Sequence, residues 1–520
     1  MSDNSAANTK GDEADDSVPA DSLLRYPKLR TLTLVFVLMG IMLHTIDSTI
    51  ANVALPHIQG SLSATIDQIS WVITGYIIAA AVATPAVAWL SARIGVRTVM
   101  LVSVIGFTLS SVLCGLAITL QDLVLYRVLQ GLSGAALIPV GQAIVLSSFK
   151  PEETGKAMAL FGLGVMFGPI IGPTLGGYIT EWMDWRWVFF VNLPFGLLAA
   201  VGITFLIKKS PPRGDLRFDW LGFLTLVVAM ASFQMMMDRG HGKDWFDSWE
   251  IICWALLALS AIYVYVVRTA TATQPLFSRQ LFRDRNFVVG NILFFFIGGN
   301  MVASMIMLPV IMQSLMGYPV EAAGMLLAPR GFGLMLAMAL APRLADKIDP
   351  RILVSAGIAI AAYAMWAHAK MGIYFTTWSF ISAGFIHGIG LGLVFVVLGA
   401  LSFAHMDSEI RLQASTFFNM VRNVGQSFCA AVTMSILAHN IQVNTSELGE
   451  SIYATGDMFR LALADGVSLG NQEIGLSILQ SGIMRQASLI SYINNFYILA
   501  LTTALLVPLV WLAKNHESPS

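Results

Sequence analysis

Charge is scarce in this sequence. Asp, Glu, Lys and Arg make up 12% of its 520 residues, against 56% hydrophobic residues, whereas soluble domains are about one quarter charged. A chain built mainly for water is excluded. The 30 Lys and Arg nearly balance the 31 Asp and Glu and are scattered between apolar runs, so no continuous basic face exists for a nucleic-acid partner. Cysteine is equally sparse. Cys114, Cys253 and Cys429 all fall in apolar segments without CxxC spacing, which argues against a disulfide framework or a metal site and leaves small packing residues. No HExxH and no Walker A sequence occurs, so neither a zinc hydrolase nor ATP hydrolysis is expected, and the run Gly388-x-Gly390-x-Gly392 lacks the preceding strand of a nucleotide loop. Residues 1–28 are polar and acidic, without the basic start and apolar core of a signal peptide. They read as a disordered, uncleaved tail.

Long apolar runs fill the remainder. About twenty apolar residues cross a bilayer as a helix, and such runs begin near Thr31, Gln68, Thr98, Leu123, Lys156, Trp187, Asp219, Ser248, Asn286, Ala322, Ile352, Thr376, Leu412 and Gln486. The expected fold class is therefore an all-α polytopic membrane protein of about fourteen transmembrane helices. With the N-terminus placed in the cytoplasm, the external loops hold only Arg186, Arg239, Lys243, Lys370, Arg460 and Arg485 and the spans a few more, leaving most basic residues inside. The positive-inside rule thus predicts a multi-pass protein of the inner (cytoplasmic) membrane with both termini cytoplasmic.

Two basic linkers, Lys208 to Asp219 and Arg268 to Arg285, bracket a helix pair. Ala88-Trp-Leu-Ser-Ala-Arg-Ile-Gly-Val-Arg97 after span 2 is echoed by Pro342-Arg-Leu-Ala-Asp-Lys-Ile-Asp-Pro-Arg351 after span 10. With spans 7 and 8 as an insertion, the echo falls at corresponding places in two six-helix halves, the duplication on which many secondary transporters are built. The chain divides accordingly into a tail (1–28), a first bundle (29–207), a linker with two inserted helices (208–285), a second bundle (286–513) and a tail (514–520). Residues 438–485 form the only long external loop, and loops of that length are commonly functional or disordered.

Ile46-Asp-Ser-Thr-Ile-Ala-Asn-Val-Ala-Leu-Pro56, Leu125-Tyr-Arg-Val-Leu-Gln-Gly131, the Gly164 to Gly177 glycine-proline run and Trp185-Arg-Trp-Val-Phe-Phe-Val-Asn-Leu-Pro-Phe-Gly196 follow one another in spans 1, 4, 5 and 6. In that order they resemble the fourteen-span drug:proton antiporters of the major facilitator superfamily, of the EmrB/QacA type. The resemblance runs from about Leu32 to Ala513. It implies the major facilitator fold in a 6+2+6 arrangement of pseudo-symmetric halves, export of hydrophobic or amphipathic molecules by alternating access, and a proton gradient in place of a cofactor. A periplasmic adaptor is a further partner to be considered. One departure stands out: Ala92 and Ala88 occupy positions where the superfamily has aspartate and glycine, although the second copy keeps its acid as Asp346. The usual latch at the end of span 2 is therefore not expected.

Asp47 lies within a span, where a carboxylate costs about 2.5–3.5 kcal/mol on insertion scales. It serves either as a proton-coupling group, changing between dry and cation-paired states, or as a structural ion-pair anchor. His44 lies one turn away on the same face, and Arg127, which keeps its proton, is the candidate counter-ion. Gln130, Gln234, Arg330, Asn419, Arg422 and Asn423 are candidate cavity residues, with interhelical hydrogen bonding as the alternative. Arg330 is expected to take carbonyls freed by Pro329. Gly164, Gly168, Pro169, Gly172, Pro173, Gly176 and Gly177 suit either a bending helix or a tight packing seam, and Arg97, Asp346 and Arg351 are gating candidates. Methionines such as Met301 and Met305 suit a pocket that repacks around varied cargo. Export of an endogenous metabolite, siderophore or lipid keeps the same fold, while an intramembrane enzyme, a receptor or a channel fits less well.

Overall fold

The computed structural model describes residues 27–208, 217–370, 377–404, 406–407, 410–450 and 472–514. Among these residues the only regular structure is helical. Thirteen helices are long and apolar enough to cross a membrane: α1 Leu29–Ser61, α2 Gln68–Ile94, α3 Val96–Leu116, α4 Leu120–Ser147, α5 Thr154–Trp182, α6 Trp187–Leu206, α7 Trp220–Gly240, α8 Trp249–Thr271, α9 Arg285–Leu315, α10 Ala322–Ala345, α11 Pro350–Ala369, α12 Thr377–Phe403 and α14 Leu476–Val510. The remaining helix, α13 (Arg411–Glu450), is too polar to qualify on hydropathy, because it carries Asn419, Arg422, Asn423 and Gln426 and a polar extension. Fourteen crossings bring the start of α1 and the end of α14 to one face, hereafter the terminal face.

The helix pairs repeat between halves. α1 packs on α5, α2 and α3 on α4, and α3 on α6; α9 packs on α13, α10 and α11 on α12, and α11 on α14. A side chain at Gly131 would meet the Tyr76 carbonyl, and one at Gly388 would meet the Arg330 carbonyl, so α4 crosses α2 as α12 crosses α10. The halves meet through α5 against α10 and α12, and through the second part of α4 against α13.

The inserted pair is not a detached appendage. α7 packs against both α2 and α13, with Phe233 stacked on Phe428 at 6.4 Å. Asp219 accepts from Arg268 Nε at 3.0 Å at one end of the α7–α8 hairpin, and Glu250 pairs with Arg239 and Lys243 at the other. α8 turns Leu259, Tyr263 and Val266 outward, the lipid-facing side expected of a peripheral span.

The glycines of α5 form a packing seam. A Cβ at Gly168 would run into Thr45 backbone, at Gly172 into Thr49 Oγ1, at Gly164 into Leu38 and at Gly176 into Ile50, whereas Gly177 faces open space. Thr49 Oγ1 donates to the Gly168 carbonyl at 3.1 Å. The α1–α5 contact is therefore backbone-close for its middle turns, right beside Asp47. Gly168→Ala is expected to cost about 1–3 kcal/mol through overpacking and to lower the melting temperature of the solubilised protein. Gly177→Ala should melt like the parent.

The described residues of the expected external loop, 438–450 and 472–485, are helical. α13 runs to Glu450, and the last helix begins at Gln472, while 451–471, with Arg460, lie outside the described residues, as do 1–26, 209–216 and 515–520. Forty residues at about 1.5 Å each exceed the roughly 30 Å hydrocarbon core, so α13 projects well beyond it. The polar stretch stays helical because its backbone bonds are internal and its side chains find partners on the next helix, as Asn444 Nδ2 does at Ser491 Oγ (2.8 Å).

Candidate functional site

Asp47, at 0% exposure, sits mid-way along α1, walled by α2, α3, α4 and α6. Arg127 Nη1 approaches its Oδ2 at 2.5 Å, while Gln130 Nε2 and Asn192 Nδ2 donate to Oδ1 at 2.9 and 3.0 Å. All three partners are donors, an arrangement that suits the ionised carboxylate. Gln130 is oriented by its own carbonyl, which accepts from Arg127 Nη1 at 2.8 Å. Asn192 also donates to Ser111 Oγ at 3.0 Å, and that hydroxyl donates onward to the Phe189 carbonyl at 2.8 Å.

Arg127, 1% exposed, spends its Nε on the Val72 carbonyl at 3.2 Å and lies over the Tyr76 ring at 4.2 Å. Tyr76 in turn shares a 2.7 Å hydrogen bond with His44 Nδ1. His44 thus joins the centre through Tyr76 and the guanidinium face, although sequence spacing puts it on the same side of α1 as Asp47. A buried ion pair with every partner satisfied is stable as a unit but expensive to break on one side.

A second feature lies between α5 and the second half. A small cavity of about 20 Å³ is lined by Met166, Phe294, Leu334, Val394, Arg422 and Gln426, among others. Arg422 is 4% exposed, and its Nε and Nη1 have no hydrogen-bond partner among the described residues. Arg330 does not turn back to carbonyls freed by Pro329. It reaches α9 instead, donating from Nη2 to Ser304 Oγ (3.0 Å) and the Met301 carbonyl (3.3 Å).

The other candidates separate. Gln130 belongs to the Asp47 centre. Asn423 is exposed and is not among the residues lining the cavity. Gln234 also lies apart from it, donating to Asp238 Oδ1 at 2.9 Å on α7. Asn419 joins a cross-half cluster: Gln142 Oε1 accepts from Asn419 Nδ2 at 2.6 Å and from Ser415 Oγ at 2.7 Å, and Ser415 Oγ also lies 2.9 Å from the Pro139 carbonyl. These contacts tie α4 to α13 toward the terminal face, where Met158 also meets Gly399 and Phe161 stacks on Phe395. The gating candidates do less: Arg97 Nη2 donates to Thr204 O within its own half, Asp346 ends the long helix of α10, and the Arg351 backbone N–H donates to Asp349 Oδ1 at 2.8 Å.

Ala92 cannot supply a carboxylate, and among the described residues Gln142 is one of those that join the halves at this face. Gln142→Leu removes the shared acceptor. Spin labels at residues 150 and 347 should then show a larger population of separated halves than in the parent.

Asn192, Ser111, Tyr76, Gln142 and Ser415 were not singled out in the sequence. Asn192 carries a signal, a polar amide two residues before Pro194 in an apolar span; Tyr76 and Ser111 carry none.

Comparison with known proteins agrees with this architecture. Residues 37–430 match the Major Facilitator Superfamily. The chain is 31% identical to the fatty acid resistance protein FarB of Neisseria gonorrhoeae, covering 94% of this chain and 98% of that one. It is 32% identical to the probable multidrug resistance protein EmrY (90% and 92% covered) and 31% identical to the multidrug export protein EmrB (91% and 93%), both of Escherichia coli strain K12. Among solved structures, the human organic anion transporter MFSD10 superposes with a TM-score of 0.62 at 12% identity over 92% of this chain and 99% of that one, which shows the shared fold. The fourteen-helix plan with its repeated pairings, the span-1 and span-4 motifs meeting at one ion pair, and these relatives together make the chain a multi-pass membrane transporter of the major facilitator superfamily, in the multidrug efflux family of EmrB, EmrY and FarB.

Proposed function

We propose that this chain exchanges protons for hydrophobic or amphipathic molecules across the cytoplasmic membrane, with Asp47 as the coupling carboxylate. The observation that carries the reading is the buried Asp47–Arg127 pair with Gln130 and Asn192 completing its shell. Protonation of Asp47 removes half of that pair, and an unpaired buried guanidinium must find another partner or water. The charge state of one carboxylate can thereby bias helices α1, α2, α4 and α6 between two arrangements. In the cycle, the proton binds Asp47 from outside as cargo leaves, and departs inward before cargo binds again. The gradient is the sole energy source and no cofactor takes part.

The basic-residue distribution supports a cytoplasmic terminal face, so the Gln142–Ser415–Asn419 contacts close the inner side. The projecting ends of α13 and α14 would offer a periplasmic adaptor its surface. Co-purification with a candidate adaptor before and after deletion of 438–485 decides that point: unchanged capture after deletion would remove this surface from adaptor binding.

Everted vesicles carrying the chain, acidified inside, should accumulate an amphipathic dye, and collapse of the pH gradient should release it. Accumulation that ignores the gradient, or that follows ATP alone, would overturn the reading.

A further inference from the structure

The two ends of the Asp47–Arg127 pair stand on different footings. α1 is held to α5, where a Cβ at Gly168 would strike the Thr45 backbone and Thr49 Oγ1 donates to the Gly168 carbonyl at 3.1 Å. α2 is held to α4 just as closely, since a Cβ at Gly131 would strike the Tyr76 carbonyl. Asp47 belongs to the first pair of helices and Arg127 to the second. The ion pair therefore spans the boundary between two tightly packed units.

Arg127 also has partners on its own side of that boundary. Its Nε donates to the Val72 carbonyl at 3.2 Å, its Nη1 donates to Gln130 Oε1 at 2.8 Å, and its guanidinium carbon lies 4.2 Å from the centre of the Tyr76 ring. Val72 and Tyr76 are about one helical turn apart on α2, so the carbonyl and the ring form one wall. The Phe189 ring of α6 is more distant, at 5.7 Å. An aromatic face within about 6 Å of a cation attracts it, most strongly where water is excluded, and Tyr76 is only 3% exposed. Its hydroxyl shares a 2.7 Å hydrogen bond with His44 Nδ1, which fixes the tilt of the ring.

We infer that Tyr76 is a positioning residue of the proton cycle, its ring being the dock that keeps Arg127 in place once Asp47 has taken up a proton. The inference rests on Asp47 as the coupling carboxylate. With that carboxyl neutral, the guanidinium charge falls on the Tyr76 ring and on the Val72 and Gln130 carbonyls. Arg127 then stays with α2 and α4, while α1 and α5 are released. The ring counts for more in this state than in the paired one, where the carboxylate takes up most of the charge. Its removal penalises the protonated state, so protons must be more concentrated to load Asp47. Among the described residues, the titratable groups acting on Arg127 are Asp47 and His44 on α1, Tyr76 on α2 and Cys114 on α3, and Arg422 acts on His44 across the seam between the halves.

A fluorinated series separates attraction from shape, because each fluorine on a phenylalanine ring weakens the negative face of the ring at nearly constant size. The full chain is prepared with Tyr76 replaced by phenylalanine and by its 4-fluoro, 3,5-difluoro and 3,4,5-trifluoro forms. Dye accumulation in everted vesicles is then recorded against the acidity of the vesicle interior. Expected is a stepwise rise in the interior proton concentration that gives half-maximal accumulation, reaching about tenfold between phenylalanine and the trifluorinated ring, the size appropriate to a cation–ring contact without water. The maximal rate should change less. Tyr76→Leu should require at least as much acid as the trifluorinated ring. A half-maximal proton concentration that stays constant along the series, or that is equal in Tyr76→Leu and Tyr76→Phe, would overturn the inference. Where Tyr76→Leu elutes as an aggregate, the fluorinated series decides alone. Asp47→Asn reads the coupling claim separately: its loss of gradient-driven accumulation beside a flat fluorinated series would remove Tyr76 from the cycle and leave Asp47 in it, and its full accumulation would remove both.

Discussion

Asp47→Asn is expected to reduce gradient-driven export to background while leaving exchange of cargo between the two sides, with no gradient imposed, measurable. Asparagine is nearly the same size, keeps one of the two acceptor positions, facing either Arg127 or the Gln130 and Asn192 amides, and cannot bind or release a proton. What it removes is the change of charge, not the shape of the site. The α1–α5 seam beside it, with Gly168 against Thr45, has no reason to move. Everted vesicles resolve the two activities: dye accumulation under an acid interior reports coupling, and counterflow from preloaded vesicles reports the transport path alone. Full accumulation in the variant would remove Asp47 from the coupling role. Loss of both activities would mean that the carboxylate holds the helices together and does no more.

The second large effect concerns stability. Arg127→Leu leaves Asp47 buried with only amide donors, and removal of one partner of a buried pair costs about 3–5 kcal/mol. Asp47→Asn strands Arg127 in the same manner, relieved partly by the Val72 carbonyl and the Tyr76 face. The double variant Asp47→Asn/Arg127→Leu has no uncompensated charge. Its melting temperature should therefore recover most of what Arg127→Leu loses, even though it cannot transport against a gradient. Melting curves of the four proteins close the cycle. Strictly additive losses would show that the pair is not coupled, since residues in one network normally deviate from additivity by about 0.5–3 kcal/mol.

The sequence and structure agree most closely where one residue type has few physical options. A carboxylate or guanidinium in a bilayer span must be paired or wet, so Asp47 and Arg127 were identifiable from their positions alone, and the echo of Leu90 to Arg97 in Leu344 to Arg351 located the two halves. Partners with ordinary reasons to be where they are carried no such mark. Tyr76 and Ser111 are common residues in membrane helices, and only the crossing of α2, α3 and α6 around α1 brings them to the centre. The same holds for Gln142, whose role depends on a residue 273 positions away, Ser415. The candidates of α13 separate: Asn419, Arg422 and Asn423 read together as cavity residues, and the helix divides them among a cross-half contact, a cavity and an exposed side. The run 438–450 read as loop because it is polar, whereas a helix that leaves the bilayer needs only its own backbone bonds and a neighbour to lie against.

Counting protons tests the central claim most directly. In weakly buffered solution with a pH-sensitive dye, addition of a transported amphipath to the purified chain should change proton occupancy by about one per molecule, as linkage between binding and protonation requires, and by none in Asp47→Asn. An identical proton change in the two proteins would place the coupling group elsewhere and contradict the account.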